Sequence, residues 1–459
     1  MITGEAYRES LRDGRQVYYD GERVADVTSH RIFQRAIDVA AKGYDRFFDA
    51  APDAISSYLN TPTTVAEMRE HAATHVDPLT STSYSSLMTL LTSAVRIADI
   101  RPEGSEAIRN YVKQVQQQDL RVVECITDGK GDRGKRPGQQ EDPDAYLRVV
   151  ERRPDGVVIR GAKLHISSAA IAHELMTIPT KAMKPGEEDY AIACAVPVNA
   201  PGVKIVNVTS EPDAEDILDA PLSANAHAPM GFVIYEDVFV PNERIFLNGE
   251  TAAAASFAHA LGLWVRINGL KNMADEADLM VGFAQLIAEA NGLERVAHIK
   301  DKIAEMVIHA TLIRATLEAA VANSDVSPEG VVVPDELYAN AGKYQGATYR
   351  NSMIQQIQDI AGGSLVTAPS TRDLANPDVG DAIRKYMGTK QSIDGAYRLK
   401  LFLALRDFAA SGYSGHQAVS TIQAGGGLFA QRVVTRSRYD MDKARAMALA
   451  KAGLDDPWA

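Results

Sequence analysis

The amino-acid sequence predicts an α+β protein in three parts, and three observations carry the prediction. Apolar residues recur at helical spacing up to about residue 120, the period changes to two from Tyr146, and long helical patterns return after residue 251. The corresponding parts are a helical domain over 1–138, a β domain over 139–247 and a helical domain over 248–459.

In the first part Ile32, Ala36, Ile37, Val39 and Ala40 mark one helical face, and Leu87, Leu90, Leu91, Ala94 and Val95 mark another. Ahead of them, RQVYYDGERV is strand-like, with Tyr19-Asp20-Gly21-Glu22 as turn chemistry between two β-prone runs. In the second part YLRVVERR and VVIRGAKLHI flank Pro154-Asp155-Gly156 and predict a β-hairpin. YAIACAVPV, VKIVNV and GFVIYEDVFV follow as further strands, with prolines punctuating the gaps. In the third part the pattern from about Asp275 to Ser324 reads as one long helix. Its apolar positions, among them Val296, Ile303, Met306 and Ala310, cover more than one face, as in a bundle. Another helix runs through GAYRLKLFLALRDFAA.

Composition narrows the function. A formal charge of -12 leaves no electrostatic footprint for nucleic acid or an anionic membrane. The N-terminus MITGEAYRESLRDG lacks the apolar region of a signal peptide, and no apolar run reaches the roughly 18 residues of a membrane span, so a cytoplasmic protein is expected. Cys125 and Cys194 are the only cysteines, too few for a disulfide framework or a cysteine-held metal centre, and no metal site is expected. No G-x-G-x-x-G follows a strand, no Walker-type loop is present, and His173-Glu174 lacks the second histidine of a zincin. Gly412-Tyr413-Ser414-Gly415-His416 places its glycine one position early for a nucleophile elbow and reads as a helix break.

The segment from Thr127 to Ser168 holds the chemistry. DGKGDRGKR reads either as a solvated charged loop or as a loop whose glycines let the backbone approach a ligand while Arg133 offers a planar fork to an anion. Ser167 and Ser168 are strand-end hydroxyls, of the kind that can donate to a flavin ring nitrogen.

Six segments carry a resemblance over nearly the whole length: RQVYYDGERVADVTSH, DGKGDRGKRPGQQEDP, VERRPDGVVIRGAKLHISSAAIAHE, IPTKAM, FVIYEDVFVPNERIF and QDIAGGSLVTAPS. In that order they resemble the 4-hydroxyphenylacetate 3-hydroxylase family. The resemblance implies an acyl-CoA-dehydrogenase-like fold with an N-terminal helical domain, a middle β-barrel and a C-terminal four-helix bundle, assembled as a homotetramer. It also implies FAD in the cleft between barrel and bundle. By motif position Lys130, Gly131, Asp132 and Arg133, with His165 and Ser167, contact the flavin, Ser167 standing where relatives usually have threonine. Thr180 falls beside the flavin ring. Gln358, Gly362 and Gly363 sit where one subunit touches its neighbour's FAD, and Gly426 lies in a glycine run that closes over the cofactor.

Two departures from the family pattern limit the chemistry. The 4-hydroxybutyryl-CoA dehydratase branch holds an iron-sulfur cluster with three cysteines and a histidine, whereas STSYSSLMTLL and the residues after LWVRINGLKNM contain no cysteine. The phenol hydroxylases carry an Arg-x-x-x-Tyr pair and a histidine that hold the phenol oxygen; here Pro78, Thr82 and Glu124 occupy those positions. Tyr84 is a candidate substitute on the same helix. Glu124 becomes a candidate acid/base if burial raises its pKa, and a neutral, cationic or nitrogen-bearing substrate then fits better than a phenolate.

The expected activity is that of a monooxygenase component. It receives reduced FAD from a separate NAD(P)H:flavin reductase, forms a C4a-hydroperoxyflavin and hydroxylates a small aromatic or heteroaromatic substrate with O2. Glu124, Tyr84 and His165 are the substrate-side candidates. The alternatives are a redox-neutral FAD-containing acyl-CoA isomerase or lyase without a cluster, with Glu124 or His416 as base, and a flavin-binding protein without oxygenase chemistry.

Overall fold

The structure, a computed structural model, describes the backbone of residues 1–73, 78–208, 217–224, 228–390 and 392–457, and their side chains except at 73 and 78–81. The strands β1 (Val17–Tyr19), β2 (Glu22–Val24), β3 (Val122–Cys125), β4 (Arg148–Arg153), β5 (Gly156–Ser167), β6 (Glu174–Thr177), β7 (Ile192–Pro197), β8 (Val203–Val208), β9 (Met230–Pro241) and β10 (Ile245–Asn248) form two sheets. A six-stranded sheet has the order β2-β1-β8-β9-β5-β4 and a four-stranded sheet the order β10-β7-β6-β3.

Local chemistry sets the first pairing. β1 and β2 turn back across Asp20 and Gly21, whose φ angles of 51° and 82° are the left-handed values such a two-residue turn requires. β1 then pairs in parallel with β8, so this N-terminal ribbon extends the main sheet. The hairpin predicted around Pro154 is formed by β4 and β5. β6 and β10 were not legible: each is only four residues long and almost wholly buried, without alternation.

No strand pairing closes either sheet among the described residues, so the expected β-barrel stands as two open sheets. The β3 edge shows why no further strand joins there. The Ser83 hydroxyl, on a helix, donates to the carbonyl of Val122 at 3.3 Å and accepts its N–H at 3.1 Å, occupying that edge.

Helices α1 (Gly4–Ser10), α2 (Arg31–Phe47), α3 (Val65–Ala73), α4 (Pro78–Ile97) and α5 (Pro102–Gln118) precede the sheets. After them come α6 (Ala254–Ala290), α7 (Ala297–Ala322), α8 (Glu336–Ala361), α9 (Ser364–Thr367), α10 (Thr371–Ala375), α11 (Gly380–Met387), α12 (Gly395–Ala410), α13 (Gly412–Gln423), α14 (Leu428–Arg438) and α15 (Met441–Ala452). α6, α7 and α8 pack on one another, and α12 contributes Leu399, Phe402 and Leu405 to the same core. The single helix expected over 275–324 is two helices. Asn291-Gly292 breaks it, with Gly292 at φ 72°, a turn dipeptide present in the sequence but outweighed there by the apolar periodicity.

α12 starts against the backbone of α11. A Cβ added at Gly395 would lie 2.7 Å from the carbonyl carbon and 2.9 Å from the Cα of Arg384, where nothing flexible can yield. Gly395→Ala is therefore expected to lower stability by about 1–3 kcal/mol, read as a reduced denaturation midpoint. An unchanged midpoint would mean that the α11–α12 contact is looser than the structure shows.

Candidate active site

The loop after β3 is fixed to β5 by a buried ion pair. Lys163 Nζ lies 2.8 Å from Asp128 Oδ1, with both side chains at most 3% exposed, and also donates to the carbonyls of Ile126 and Ile178 at 2.9 Å each. Asp128 in turn accepts from the Leu147 N–H at 3.0 Å and from the Thr180 hydroxyl. The Thr180 hydroxyl also reaches the Ile126 carbonyl at 2.7 Å, so this side chain braces the junction from the segment after β6. Three segments distant in sequence meet here because one desolvated charge pair needs all of their polar groups.

From this anchored base the loop carries Lys130 half-buried and Gly131, Asp132 and Arg133 exposed. Lys130 and Gly131 have φ angles of 69° and 48°; a Cβ at Gly131 would meet the Gln140 side chain, which instead accepts from the Asp132 N–H at 2.9 Å. Burial, with Arg133 beside it, lowers the Lys130 ammonium below its ordinary value, the mark of a locally positive, partly dry surface.

The end of β5 is irregular at the same junction. Its register with β9 shifts between Lys163 and Ile166, and His165 in the shift has φ 63° and an exposed ring. A bulge of this kind re-aims a side chain out of the sheet's alternation. Ser167, half-buried, donates to Met230 Sδ at 3.3 Å. Two cations, an exposed imidazole and a strand-end hydroxyl on a rigid base fit an anionic, ring-bearing cofactor such as FAD.

Two of the three substrate-side candidates, Glu124 and Tyr84, lie against or on α4, while the third, His165, is the bulge residue of β5. Glu124 is half-buried on β3, the edge strand, and its carboxylate accepts from the Ser85 hydroxyl of α4. Burial pushes its carboxyl up to about 7, against the downward pull of that hydroxyl. Tyr84, the preceding residue on α4, is buried, and its ring stacks on His71 at 3.6 Å between centroids and meets Trp264 edge-on at 5.9 Å. These rings wall a small cleft, partly open to solvent, between α3, α4, α6 and α7. Glu124 is not among its lining residues; Tyr84 and Ser85 place the carboxylate and the cleft on neighbouring faces of one helix turn.

Sequence reasoning missed His71, Lys271, Asn268 and Asn272, which line this cleft. Asn268, Lys271 and Asn272 were detectable only as a polar i, i+3, i+4 stripe within α6. Thr82 turns its hydroxyl into the protein with no partner among the described residues, and the side chain of Pro78 lies outside them.

Other predicted residues stand apart. Gln358 donates to the Ala409 carbonyl at 2.7 Å, and Gly362 and Gly363 are exposed at the end of α8. No hydrogen bond among the described residues ties them to the Asp128–Lys163 junction. Gly426, at φ 89°, is held from α14 by Gln431, which donates to its carbonyl at 2.9 Å, and Arg266 of α6 donates to the Gly425 carbonyl at 2.8 Å. His416 contacts Ser420 one turn along α13. Cys125 and Cys194 are fully buried on β3 and β7, with burial pushing each thiol up to about 12. No group of metal-ligating side chains occurs among the described residues, and no helix among them is long and apolar enough to cross a membrane.

Comparison with known proteins gives these features a context. The 4-hydroxybutyryl-CoA dehydratase/vinylacetyl-CoA-Delta-isomerase of Clostridium aminobutyricum is 27% identical, over 99% of this chain and 100% of its own length. The 4-hydroxyphenylacetate 3-monooxygenase oxygenase component of Thermus thermophilus is 26% identical over 90% of each chain. Among solved structures, HpaB, the oxygenase component of 4-hydroxyphenylacetate 3-monooxygenase, complexed with FAD and 4-hydroxyphenylacetate, superposes with a TM-score of 0.86 at 24% identity over 99% of each chain, which shows a shared fold. The family model for the 4-hydroxyphenylacetate 3-hydroxylase N terminal matches residues 3–247 and that for the C terminal matches residues 254–453. The chain therefore belongs to the 4-hydroxyphenylacetate 3-hydroxylase family.

Proposed function

We propose that this protein is the oxygenase component of a two-component flavin monooxygenase. It takes reduced FAD from a separate NAD(P)H:flavin reductase and transfers one oxygen atom of O2 to a small aromatic or heteroaromatic molecule. The observation that carries the reading is the junction at Asp128–Lys163, which ties the loop bearing Lys130 and Arg133 to the strand bearing His165 and Ser167, in a family whose relatives include several oxygenase components.

In this reading Lys130 and Arg133, with the Gly131 and Asp132 backbone, hold the anionic part of FAD, while His165 and Ser167 meet its ring and Thr180 borders it. Gly426 covers the cofactor. Gln358, Gly362 and Gly363 serve the FAD of a neighbouring subunit in a homotetramer, consistent with their separation from the junction within one chain. When bound, reduced FAD supplies the electrons that activate O2. The protein's own part is to exclude water and to orient the substrate. Glu124 takes a proton from the substrate's hydroxyl or ring nitrogen, a role suited to a carboxyl titrating near 7, and Tyr84 packs against the substrate.

The finer architecture belongs to the same proposal: a β domain over 139–247 between helical domains over 1–138 and 248–459, the last built around a four-helix bundle of α6, α7, α8 and α12. The two family models meet between residues 247 and 254, which supports the second boundary. A reductase partner suits the cytoplasm.

One observation favours a second reading, a redox-neutral acyl-CoA isomerase or lyase: the dehydratase/isomerase relative matches the whole chain. The cysteines that hold that branch's cluster are missing, so such an enzyme would rely on Glu124 or His416 alone. Stopped-flow mixing of the protein with chemically reduced FAD and oxygenated buffer separates the two. An oxygenase is expected to show a long-lived absorbance distinct from both reduced and oxidised flavin, and incorporation of labelled oxygen into product. Immediate reoxidation without that transient, together with tightly held oxidised FAD, overturns the oxygenase reading in favour of the second.

A further inference from the structure

The start of β9 brings a thioether to the proposed flavin seat. Met230 is the ladder partner of Ser167 on β5, and directly opposed residues of an antiparallel pair share one face of the sheet. The Ser167 hydroxyl donates to Met230 Sδ at 3.3 Å. One residue further on, the Ser168 N–H donates to the Pro229 carbonyl at 2.7 Å and ties the two strand ends together. The sulfur is thus fixed beside the hydroxyl that stands where the family motif contacts FAD.

Exposure separates this methionine from those of the core. Met176, Met280 and Met306 are at most 1% exposed and out of reach of a dissolved oxidant. Met230 is half-buried, as is Met387 on α11, while Met441 and Met447 on α15 are 50% and 61% exposed. A thioether sulfur is a weak acceptor and keeps a second lone pair when one accepts from a hydroxyl, so the bond from Ser167 leaves Met230 open to an electrophilic oxygen. Reduced FAD and O2 that meet no substrate give oxidised FAD and hydrogen peroxide, which is such an oxidant.

We propose that Met230 is a self-modification site, whose thioether is converted to the sulfoxide by hydrogen peroxide formed at the flavin when no substrate takes up the oxygen. The inference rests on the reading that seats the flavin ring at Ser167. In the step a sulfur lone pair attacks one peroxide oxygen, an S–O bond forms as the O–O bond breaks, and the proton of the transferred oxygen leaves with the other oxygen as water. Sulfur gives up an electron pair and the peroxide accepts it, so no further reagent is required. The side chain becomes polar, and its new oxygen is a stronger acceptor than sulfur. The Ser167 hydroxyl turns to that oxygen and is withdrawn from the flavin ring. Substrate-free turnover therefore weakens the hold on FAD and limits further peroxide release, and methionine sulfoxide reductases reverse the change.

The test mixes the protein aerobically with chemically reduced FAD, without substrate and with catalase to destroy peroxide that escapes. Peptide mapping by mass spectrometry then reads one added oxygen at each methionine. Met230 is expected to be oxidised at least about tenfold more than Met387, Met441 or Met447. Reagent hydrogen peroxide added without flavin should give a different order, led by Met441 and Met447. Equal oxidation of the four with reduced FAD, no oxidation at Met230, or the same ranking in both arms overturns the proposal. FAD affinity of the oxidised protein should fall by about threefold or more, as for loss of one neutral hydrogen bond, and return after treatment with methionine sulfoxide reductases of both stereochemical specificities. Met230→Leu, a near-isosteric change, should show no such fall relative to its own untreated sample. An affinity that oxidation leaves unchanged in the unaltered protein, or that falls equally in Met230→Leu, also overturns it. The two readings fail separately: selective oxidation of Met230 without labelled product removes the oxygenase assignment and leaves the site, whereas labelled product with Met230 untouched removes only the site.

Discussion

Glu124→Gln is expected to lower kcat/KM by about a hundredfold or more and to remove an inflection near pH 7, because the amide keeps the shape of the carboxyl and cannot take a proton. In the unaltered protein the rate should rise as pH rises through about 7, where the half-buried carboxyl becomes a carboxylate able to act as a base. The same substitution has a signature in stability that needs no turnover. The folded-state value, about 7, lies above the ordinary 4.5, so the stability contributed by the neutral carboxyl is fully present below about pH 4.5 and is lost as pH rises through about 7. Glu124→Gln removes that loss. The variant should match the parent protein below about pH 4.5 and exceed it above pH 7, by at most about 3 kcal/mol and by less in proportion to the residual solvent contact. Denaturation midpoints across pH 4 to 9 read the effect, and identical pH dependence of both rate and stability in the two proteins would rule out the role.

Lys163→Met should have the largest effect on stability. It leaves Asp128 charged at 3% side-chain exposure without its partner and strips the Ile126 and Ile178 carbonyls of their donor, a loss of about 3–5 kcal/mol. The contrast is Arg153 with Glu151, both roughly half exposed and screened by water, whose removal should leave the midpoint nearly unchanged. Because the pair anchors the loop bearing Lys130 and Arg133 to the strand bearing His165 and Ser167, FAD affinity should fall with stability. Thermal midpoints with and without FAD measure both. A Lys163→Met protein that unfolds like its parent would show that water reaches the pair and that the junction is not the rigid base inferred for it.

Much of this arrangement was legible before the structure. Tyr19-Asp20-Gly21-Glu22 and Pro154-Asp155-Gly156 announced their hairpins because two-residue turns place strong demands on φ, and GAYRLKLFLALRDFAA coincides with α12. The loop Lys130–Arg133, His165 and Ser167 were readable as family motifs, and the Asp128–Lys163 pair ties the loop to the strand that carries the other two. Thr180 was placed beside the flavin; its hydroxyl is committed to Asp128 and Ile126, a partnership that no spacing in the sequence expresses.

What the sequence determined by itself is the order of helical and β segments, the family, and the lack of cluster-holding cysteines, since each depends on residue type and near neighbours. Tertiary structure alone decided that two open sheets stand where a barrel was expected, that Lys163 is the counter-ion of Asp128, and that His71 and Lys271 share a cleft with Tyr84. It also decided that Glu124 sits where burial outweighs the Ser85 hydroxyl. The reason is physical: periodicity and turn chemistry act between residues a few positions apart, whereas burial, charge pairing and a proton's affinity depend on which distant segments exclude water from one another.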